Sequence, residues 1–262
     1  MDLRLKKQLI VALIFFVLVG FSGFGLFKTL VPPKPSPTPD PTANLLPLKI
    51  AKAGLIPVDE DNFDYDFFAN IINDNPNYGS SLFTYQVEFI DQNGVVVDTR
   101  NGKSYIMPGA SRFVVESPLR FNSKIAQFRF KITDTKWDQL DPLIGENVQI
   151  LLQTKPVFEL RDIPGVFGVV AGLLRNLSQF NVSNVDISVA LEDANGQILG
   201  VGKTSINTFI MGTTRGFETR WHRPISGDVS KVNIYTYTNL FNLENIDRTE
   251  GSGGIDRFQE IQ

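Results

Sequence analysis

Two segments of the chain alternate apolar and polar residues with a period of two. In residues 83–89 an apolar side chain occupies every odd position, and residues 185–191 repeat the pattern. Each run leads into an Asn-Gly pair, Asn93-Gly94 and Asn195-Gly196, and this pair favours a type I′ hairpin turn. The alternation predicts β-strands with one buried face and one solvated face, each strand entering a hairpin.

The two hairpins belong to an internal repeat of about 103 residues. Asn73 precedes the first hairpin as Asn176 precedes the second, and we match Phe113 with Phe217 further downstream. A final alternating run at residues 148–152 is expected to close the first unit of the repeat. The body of the chain is therefore predicted to contain two related domains.

Short strands with regular turns, in units of about 100 residues, are typical of Greek-key sandwiches of immunoglobulin type. The predicted fold class is all-β, with two tandem immunoglobulin-like β-sandwich domains behind an N-terminal transmembrane helix. The predicted divisions are a cytoplasmic N-terminus (1–8), the transmembrane helix (9–27), a proline-rich linker (28–46), a first sandwich (47–154), a second sandwich (155–246) and a flexible tail (247–262).

The N-terminal region contains 19 consecutive uncharged residues, Leu9–Phe27. A helix of that length nearly spans the hydrocarbon core of a bilayer. Arg4, Lys6 and Lys7 precede it, and positive charge on one flank places the N-terminus in the cytoplasm and the body outside. A cleaved signal peptide is the alternative, but its apolar region is usually shorter.

A stiff spacer follows the apolar run, because six prolines lie between residues 32 and 41. Each proline fixes its own φ angle and biases the preceding residue to extended geometry, so the segment is predicted to form polyproline II. A spacer between an apolar helix and a folded body is typical of a tether.

The second repeat carries motifs that resemble the FxLYD domain of bacterial surface proteins. These motifs are Gly172–Asn176, the strand Val185–Leu191, Asp193 with Asn195-Gly196, then Gly212 and Phe217. The resemblance covers roughly residues 157–243. It implies a small immunoglobulin-like sandwich without catalysis, often found behind a membrane anchor. The first repeat resembles the family less closely, since Ala69 stands where Gly172 does.

The composition narrows the chemistry available to the chain. There is no cysteine, so disulfides and thiolate nucleophiles are excluded, and His222 is the only histidine. A lone histidine without a serine elbow does not favour a catalytic triad. Residues 43–262 carry 20 basic against 26 acidic side chains, a balance unsuited to phosphate backbones, so no nucleic-acid partner is expected.

Two groups of residues are candidate sites. Asp59, Asp61, Asp64 and Asp66 form an acidic cluster that could attract calcium, although Asp64 and Asp66 also fit the solvated face of a strand. Tyr235 and Tyr237 alternate with apolar residues, and exposed tyrosines are enriched at interfaces. The alternative for the tyrosines is that they only shield the edge of a sandwich.

The expected function is therefore non-catalytic binding or scaffolding at the cell surface, with no cofactor and no catalytic residue. Expected partners are the lipid bilayer, through Leu9–Phe27, and an unknown envelope protein or glycan. A structural spacer holding another envelope component away from the membrane is the main alternative. A third hypothesis is an enzyme using a pair of carboxylates in one cleft.

Overall fold

The computed structural model describes residues 44–247 together with the isolated positions 7, 10 and 13. The chain divides into two compact units at Asn44 and Leu45, and the fold described below is that of the second unit. Within the described residues, no helix is both long enough and apolar enough to cross a membrane. The predicted transmembrane helix, most of the predicted linker and nearly all of the predicted tail lie outside the described residues.

The described body is built almost entirely of antiparallel strands. In its first half these are β1 (Lys49–Asp59), β2 (Asp64–Ile72), β3 (Tyr78–Asp91), β4 (Val96–Ile106), β5 (Ser111–Arg120) and β6 (Ile125–Gln139), followed by helix α1 (Pro142–Asn147). In its second half they are β7 (Ile150–Leu152), β8 (Phe158–Ile163), β9 (Val166–Asn176), β10 (Asn181–Glu192), β11 (Ile198–Phe209), β12 (Thr214–Trp221), β13 (Lys231–Tyr237), a 3-10 turn (Leu243–Asn245) and β14 (Ile246–Asp247). The all-β prediction is confirmed.

Four sheets pack as two sandwiches. The first sandwich pairs the sheet β1-β2-β5 with the sheet β4-β3-β6. The second pairs β12-β9-β7, with β8 also on β9, against β11-β10-β13, with β14 also on β10. Each sandwich encloses its own apolar cluster; fully buried members include Phe67, Phe83 and Phe89 in the first, and Val170, Leu191 and Phe209 in the second. The second sandwich repeats the topology of the first, except that two strands, β7 and β8, pair with β9 where β1 pairs with β2, and that β14 has no counterpart.

The repeat is also visible in its hydrogen bonds. Asn73 N donates to Ala110 O at 2.9 Å, and Asn176 N donates to Thr213 O at 3.0 Å. Each of these two asparagines also donates two hydrogen bonds from its side-chain amide to backbone carbonyls. Because the amide satisfies carbonyls of a neighbouring loop, the asparagine fastens that loop to the end of the sandwich.

The two hairpin turns share one geometry. Asp91 Oδ1 accepts hydrogen bonds from backbone N–H groups two and four residues later, at 2.8 and 2.9 Å, and Asp193 Oδ1 does the same at 2.8 Å for both. Gly94 and Gly196 have φ angles of 79° and 78°, a region that L side chains rarely adopt. The hairpins form where the sequence predicts, but the predicted type I′ turn is wrong: it needs a positive φ at both central residues, and only the glycine of each Asn-Gly pair has one.

The downstream match between the repeats is wrong by one residue. Val114 lies opposite Ala69, and Phe217 lies opposite Gly172, so Val114 is the true counterpart of Phe217. Both counterparts point into the core of their own sandwich. Phe113 instead faces out of the first sandwich, because a shift of one residue moves a side chain to the other face of a strand.

The strand expected to close the first sandwich belongs to the second. Ile150 pairs with Asn176 and Leu152 with Leu174, which places β7 beside β9. A short apolar alternation shows that a strand forms but not which sheet it joins. The first sandwich thus ends with β6, and α1 follows, its first turn capped by Asp141 Oδ1, which accepts from Leu143 N at 2.9 Å.

Candidate functional site

A third apolar cluster joins the two sandwiches. Its buried members are Phe68, Phe113 and Val115 from the first sandwich and Ala190, Ile198 and Val201 from the second. The ring of Phe113 lies between the rings of Phe68 and Tyr235, at centroid distances of 5.5 and 4.8 Å and interplanar angles of 8° and 5°. The outer face of β2 and β5 is thus covered by the outer face of the β11-β10-β13 sheet.

Polar contacts fix the same interface. Tyr237 Oη accepts a hydrogen bond from Phe113 N at 2.7 Å, and Ser188 Oγ donates to Phe113 O at 3.1 Å. Arg112 Nη2 donates to Asp186 Oδ2 at 2.9 Å, and its guanidinium lies 4.2 Å from the centre of the Tyr237 ring. Phe113 therefore has both its side chain and its backbone held by the second sandwich.

The two candidate tyrosines are part of this internal interface. Val232 and Ile234 pack into the second core, so Tyr235 and Tyr237 point outward from that sandwich, as expected. There they meet the first sandwich, and burial raises the pKa of Tyr237 to about 12. Their strand, β13, pairs with β10.

Ion pairs cross the interface at one end. Arg223, from the second sandwich, pairs with both Asp59 and Asp64 of the first. Arg120 donates to the two carboxylate oxygens of Asp64 at 2.7 and 2.9 Å. The hydrogen bond from Arg120 is the main reason that the pKa of Asp64 lies below its ordinary value. Two of the proposed calcium ligands are thus neutralised by arginine.

Beside these ion pairs lies a cleft of about 380 Å³, which both sandwiches line. Such a volume falls within the range of small-molecule sites, about 300–1,000 Å³. Its walls are residues 56–58 and 64–66, Ser117 and Pro118 from the first sandwich, and residues 199–203 and 218–226 from the second. The cleft is the candidate functional site.

Asp66 is a buried acid in this cleft, with a relative exposure of 6%. Burial raises its pKa to about 6; the nearby charge of Asp64 adds to that effect, and a hydrogen bond with Ser117 opposes it. The prediction of a solvated strand face is therefore wrong for Asp64 and Asp66. The alternation along β2 is correct, but the outward face meets another sandwich.

Two neutral polar groups in the cleft wall have no partner. Among the described residues, neither Thr219 Oγ1 nor Trp221 Nε1 makes a hydrogen bond, although both atoms are buried. The two residues are 5% and 6% exposed, and both line the cleft. Buried polar groups are nearly always paired, so these two are exceptions; Trp221 also packs in the core of the second sandwich.

The charged groups of the cleft, in contrast, have partners within the chain. Arg220 pairs with Glu218 on the same strand. Lys203 Nζ donates to Val115 O at 3.2 Å, and His222 Nδ1 lies 2.6 Å from Gly165 O, which can only accept. The single histidine is thus oriented by a backbone carbonyl, a contact that holds a proton on Nδ1.

No calcium site forms from the acidic cluster. In residues 44–247 no three histidine, cysteine or acidic side chains come close enough together to hold a metal ion. Asp59 and Asp64 bind Arg223, Asp66 lies in the cleft wall, and Asp61 is exposed in the β1–β2 turn. The four aspartates are close in sequence but do not surround a common point, because the carboxylates on β2 point toward the second sandwich.

Sequence reasoning missed Ser117, Thr219, Trp221 and Arg223 as cleft residues. A signal for the interface was present in β2, where Phe67 and Phe68 are consecutive. A strand with one wet face should not place aromatic rings on both faces. That pair indicates a strand covered on both sides, although it does not reveal what provides the second cover.

No protein-family model matches the sequence, and no curated protein matches it. Among solved structures, the crystal structure of red sea bream transglutaminase aligns with 74% of this chain, at 10% sequence identity and a TM-score of 0.24. The aligned part is only 29% of that transglutaminase. A likeness this distant carries no argument about fold or function.

Proposed function

We propose that the chain is a membrane-anchored, non-catalytic binding or scaffolding protein whose tandem immunoglobulin-like sandwiches lie outside the cytoplasm. The observation that carries the binding role is the cleft of about 380 Å³ that both sandwiches line. The anchoring role is supported by the uncharged run Leu9–Phe27 and the prolines that follow it.

We further propose that the second sandwich is an FxLYD-type domain. Support comes from its matching motifs, which occupy defined structural positions: Asn176 fastens a loop, and Asp193 organises the hairpin turn. The first sandwich makes the equivalent contacts through Asn73 and Asp91, so a common origin of both sandwiches accounts for the shared geometry.

The location is tested by protease treatment of intact cells that express the full chain with an N-terminal tag. Outside protease should remove the body and leave a tagged fragment that contains Leu9–Phe27. Permeabilised cells provide the control, since there the tag itself should be cut. A body that resists protease until permeabilisation contradicts the proposed orientation, and loss of the tag from the mature chain indicates a cleaved signal peptide instead.

A structural spacer is the principal alternative. The spacer function is favoured by the apolar interface around Phe113, because this interface holds the two sandwiches together as one body instead of leaving them joined only by a flexible linker. Pull-down of the full chain from detergent-solubilised membranes separates the two functions. A binding protein should recover a reproducible partner that His222→Ala, a change at an exposed residue of the cleft, recovers less well, whereas a spacer should recover the same material with the parent chain and with the variant.

The enzymatic hypothesis required two carboxylates in one cleft, and Asp64 and Asp66 both line it. We place this hypothesis behind binding because Arg120 and Arg223 already neutralise Asp64. Incubation of the full chain with oligosaccharides, followed by mass spectrometry, tests the point. Shorter products that disappear with Asp66→Asn would establish catalysis, and unchanged oligosaccharides are expected.

A further inference from the structure

We infer that the cleft between the sandwiches binds an alkylammonium group, the charged group that ends a lysine side chain, through the carboxylate of Asp66. This inference rests on the proposed binding function and names the chemistry of its ligand. Asp66 lies on the outer face of β2, because Tyr65 and Phe67 on either side of it point into the first core. It lines the cleft rather than a core, so a group that enters the cleft meets its carboxylate.

Asp66 lacks the cationic partner that a buried carboxylate usually has. It is 6% exposed, and among residues 44–247 no arginine, lysine or histidine forms an ion pair with it. Burial raises its pKa, a hydrogen bond with Ser117 opposes that effect, and the charge of Asp64 adds to it. Aspartate is rarely buried without a partner for its charge, so a cation from outside the chain would complete the site.

The other two carboxylates of the cleft wall are already paired with arginine. Asp64 pairs with Arg223, and Glu218 pairs with Arg220. A cationic ligand would have to displace an arginine to reach either of them, whereas Asp66 is open to it. An anionic ligand is disfavoured, because the ionised Asp66 would repel it.

An alkylammonium group also suits the cleft in hydrogen bonding and in shape. Its nitrogen carries three N–H donors on a compact head. Asp66 and Ser117 both line the wall and offer acceptor oxygens to these donors. The methylene chain behind the head can lie against Ile56, Leu199 and Ile225, which line the same cleft. Sites of this kind combine a mostly apolar wall with a few placed polar groups that fix the orientation of the ligand.

Isothermal titration calorimetry on the purified full chain in detergent tests the inference at about pH 8, where Asp66 is ionised because its pKa is about 6. The probes are Nα-acetyl-lysine amide, which represents a lysine of a partner protein, and putrescine, which represents a free amine. Nα-acetyl-norleucine amide is the control ligand, because it keeps the methylene chain and lacks the charge. We expect saturable binding of at least one ammonium probe and at least about tenfold weaker binding of the norleucine derivative.

The Asp66→Asn variant removes the charge and keeps the shape of the side chain. We expect it to weaken binding of the ammonium probe at least about tenfold. Its melting temperature at the same pH should equal or exceed that of the parent chain, because a buried charge without a cationic partner is removed. Asp134→Asn, at an exposed position on β6, makes the same change of charge away from the cleft and should bind like the parent chain.

Three outcomes would overturn the inference: no saturable heat with either ammonium probe, equal binding of the norleucine derivative, or unchanged affinity in Asp66→Asn. Binding of the lysine probe alone supports a protein as the source of the ammonium group, and binding of putrescine alone supports a free amine. The titration needs neither a cell nor a membrane, so its failure is distinguishable from failure of the proposed anchoring and partner recovery. If both ammonium probes fail while the pull-down still depends on His222, the binding function stands and only this ligand class is wrong.

Discussion

Replacing Phe113 by alanine tests whether the two sandwiches form one cooperative body. The residue lies on the outer face of its own sandwich, and in an isolated domain its ring would be exposed to water. In the full chain it is 2% exposed and stacks between Phe68 and Tyr235. The cost of truncation therefore measures the interface between the sandwiches rather than the core of either one.

The expected cost follows from the burial. Truncating a buried phenylalanine to alanine typically costs about 3–5 kcal/mol, since it removes transfer free energy and leaves a cavity. Aromatic pairs contribute about 0.5–1.5 kcal/mol beyond their area, which places Phe113→Ala toward the upper end. For a body of this size, 1 kcal/mol shifts the melting temperature by about 2–4 °C, so the expected decrease is about 6–20 °C.

Differential scanning calorimetry of the full chain supplies the measurement. We expect a single transition for the parent chain and a lower midpoint for Phe113→Ala. Leu173→Ala is the matched control, because Leu173 lies on the corresponding outer face of the second sandwich and is 42% exposed. Its truncation should cost under about 1 kcal/mol.

The reasoning would be refuted if Phe113→Ala cost no more than Leu173→Ala. Such a result would mean that the outer face of β5 is open to solvent and that the sandwiches behave independently. Two separate transitions, with only one of them moved by Phe113→Ala, would lead to the same conclusion. The two sandwiches would then be separately stable domains.

Three further predictions concern single positions. Burial raises the pKa of Asp66 to about 6, above its unfolded value, so protonation of Asp66 stabilises the fold. This stabilisation, up to about 3 kcal/mol, is present at about pH 4 and is lost as the pH rises through 6. Urea titrations across this pH range should show that Asp66→Asn removes the loss of stability. The added methyl group of Gly94→Ala or Gly196→Ala would contact no neighbouring atom. Each substitution should nevertheless destabilise the fold by about 1 kcal/mol in thermal melts, because φ is positive at both positions. Clearly different costs at the two positions would contradict a shared turn geometry. Phe89→Ala and Leu191→Ala, both at 0% exposure, should each cost about 2–5 kcal/mol by urea unfolding, and a cost under about 1 kcal/mol would show that the strand register is wrong.

The local features of the fold were predictable because their causes are local. The turn at Asn93-Gly94 follows from the φ preference of glycine, and the strand at residues 83–89 follows from a period of two. The alternation also assigned Phe89 and Leu191 correctly to the cores. These conclusions need only the chain within about ten residues of the feature.

The cleft and the interface could not be predicted in the same way. Asp66 was assigned to a wet face because alternation separates two faces but does not say what lies against each one. Ala190 illustrates the same limit: it points out of its sandwich, as expected, yet its exposure is 0% because the first sandwich covers it. The strand β7 joined the other sheet for a related reason, since pairing partners are set by the whole fold.

The two copies of the repeat have diverged on the faces that decide how they associate. Counterparts can be paired through the register: Glu88 corresponds to Ala190, and Thr99 to Val201. The second sandwich is apolar at these positions, where it covers its neighbour. The first sandwich is polar there, and Arg129 Nη1 donates to Glu88 Oε2 at 2.6 Å.

The opposite faces show the reverse divergence. Phe113 corresponds to Gly216 and Val115 to Glu218, so the outer face of β12 lacks the ring and the branched side chain that β5 buries. The contact between the sandwiches is heterologous, because each sandwich contributes a different face. Heterologous contacts extend into open filaments when the two free faces can make the same contact with further copies. Here the free face of the first sandwich carries Glu88, and the free face of the second carries Glu218. At these matched positions neither free face carries the apolar side chain that the interface within the chain buries.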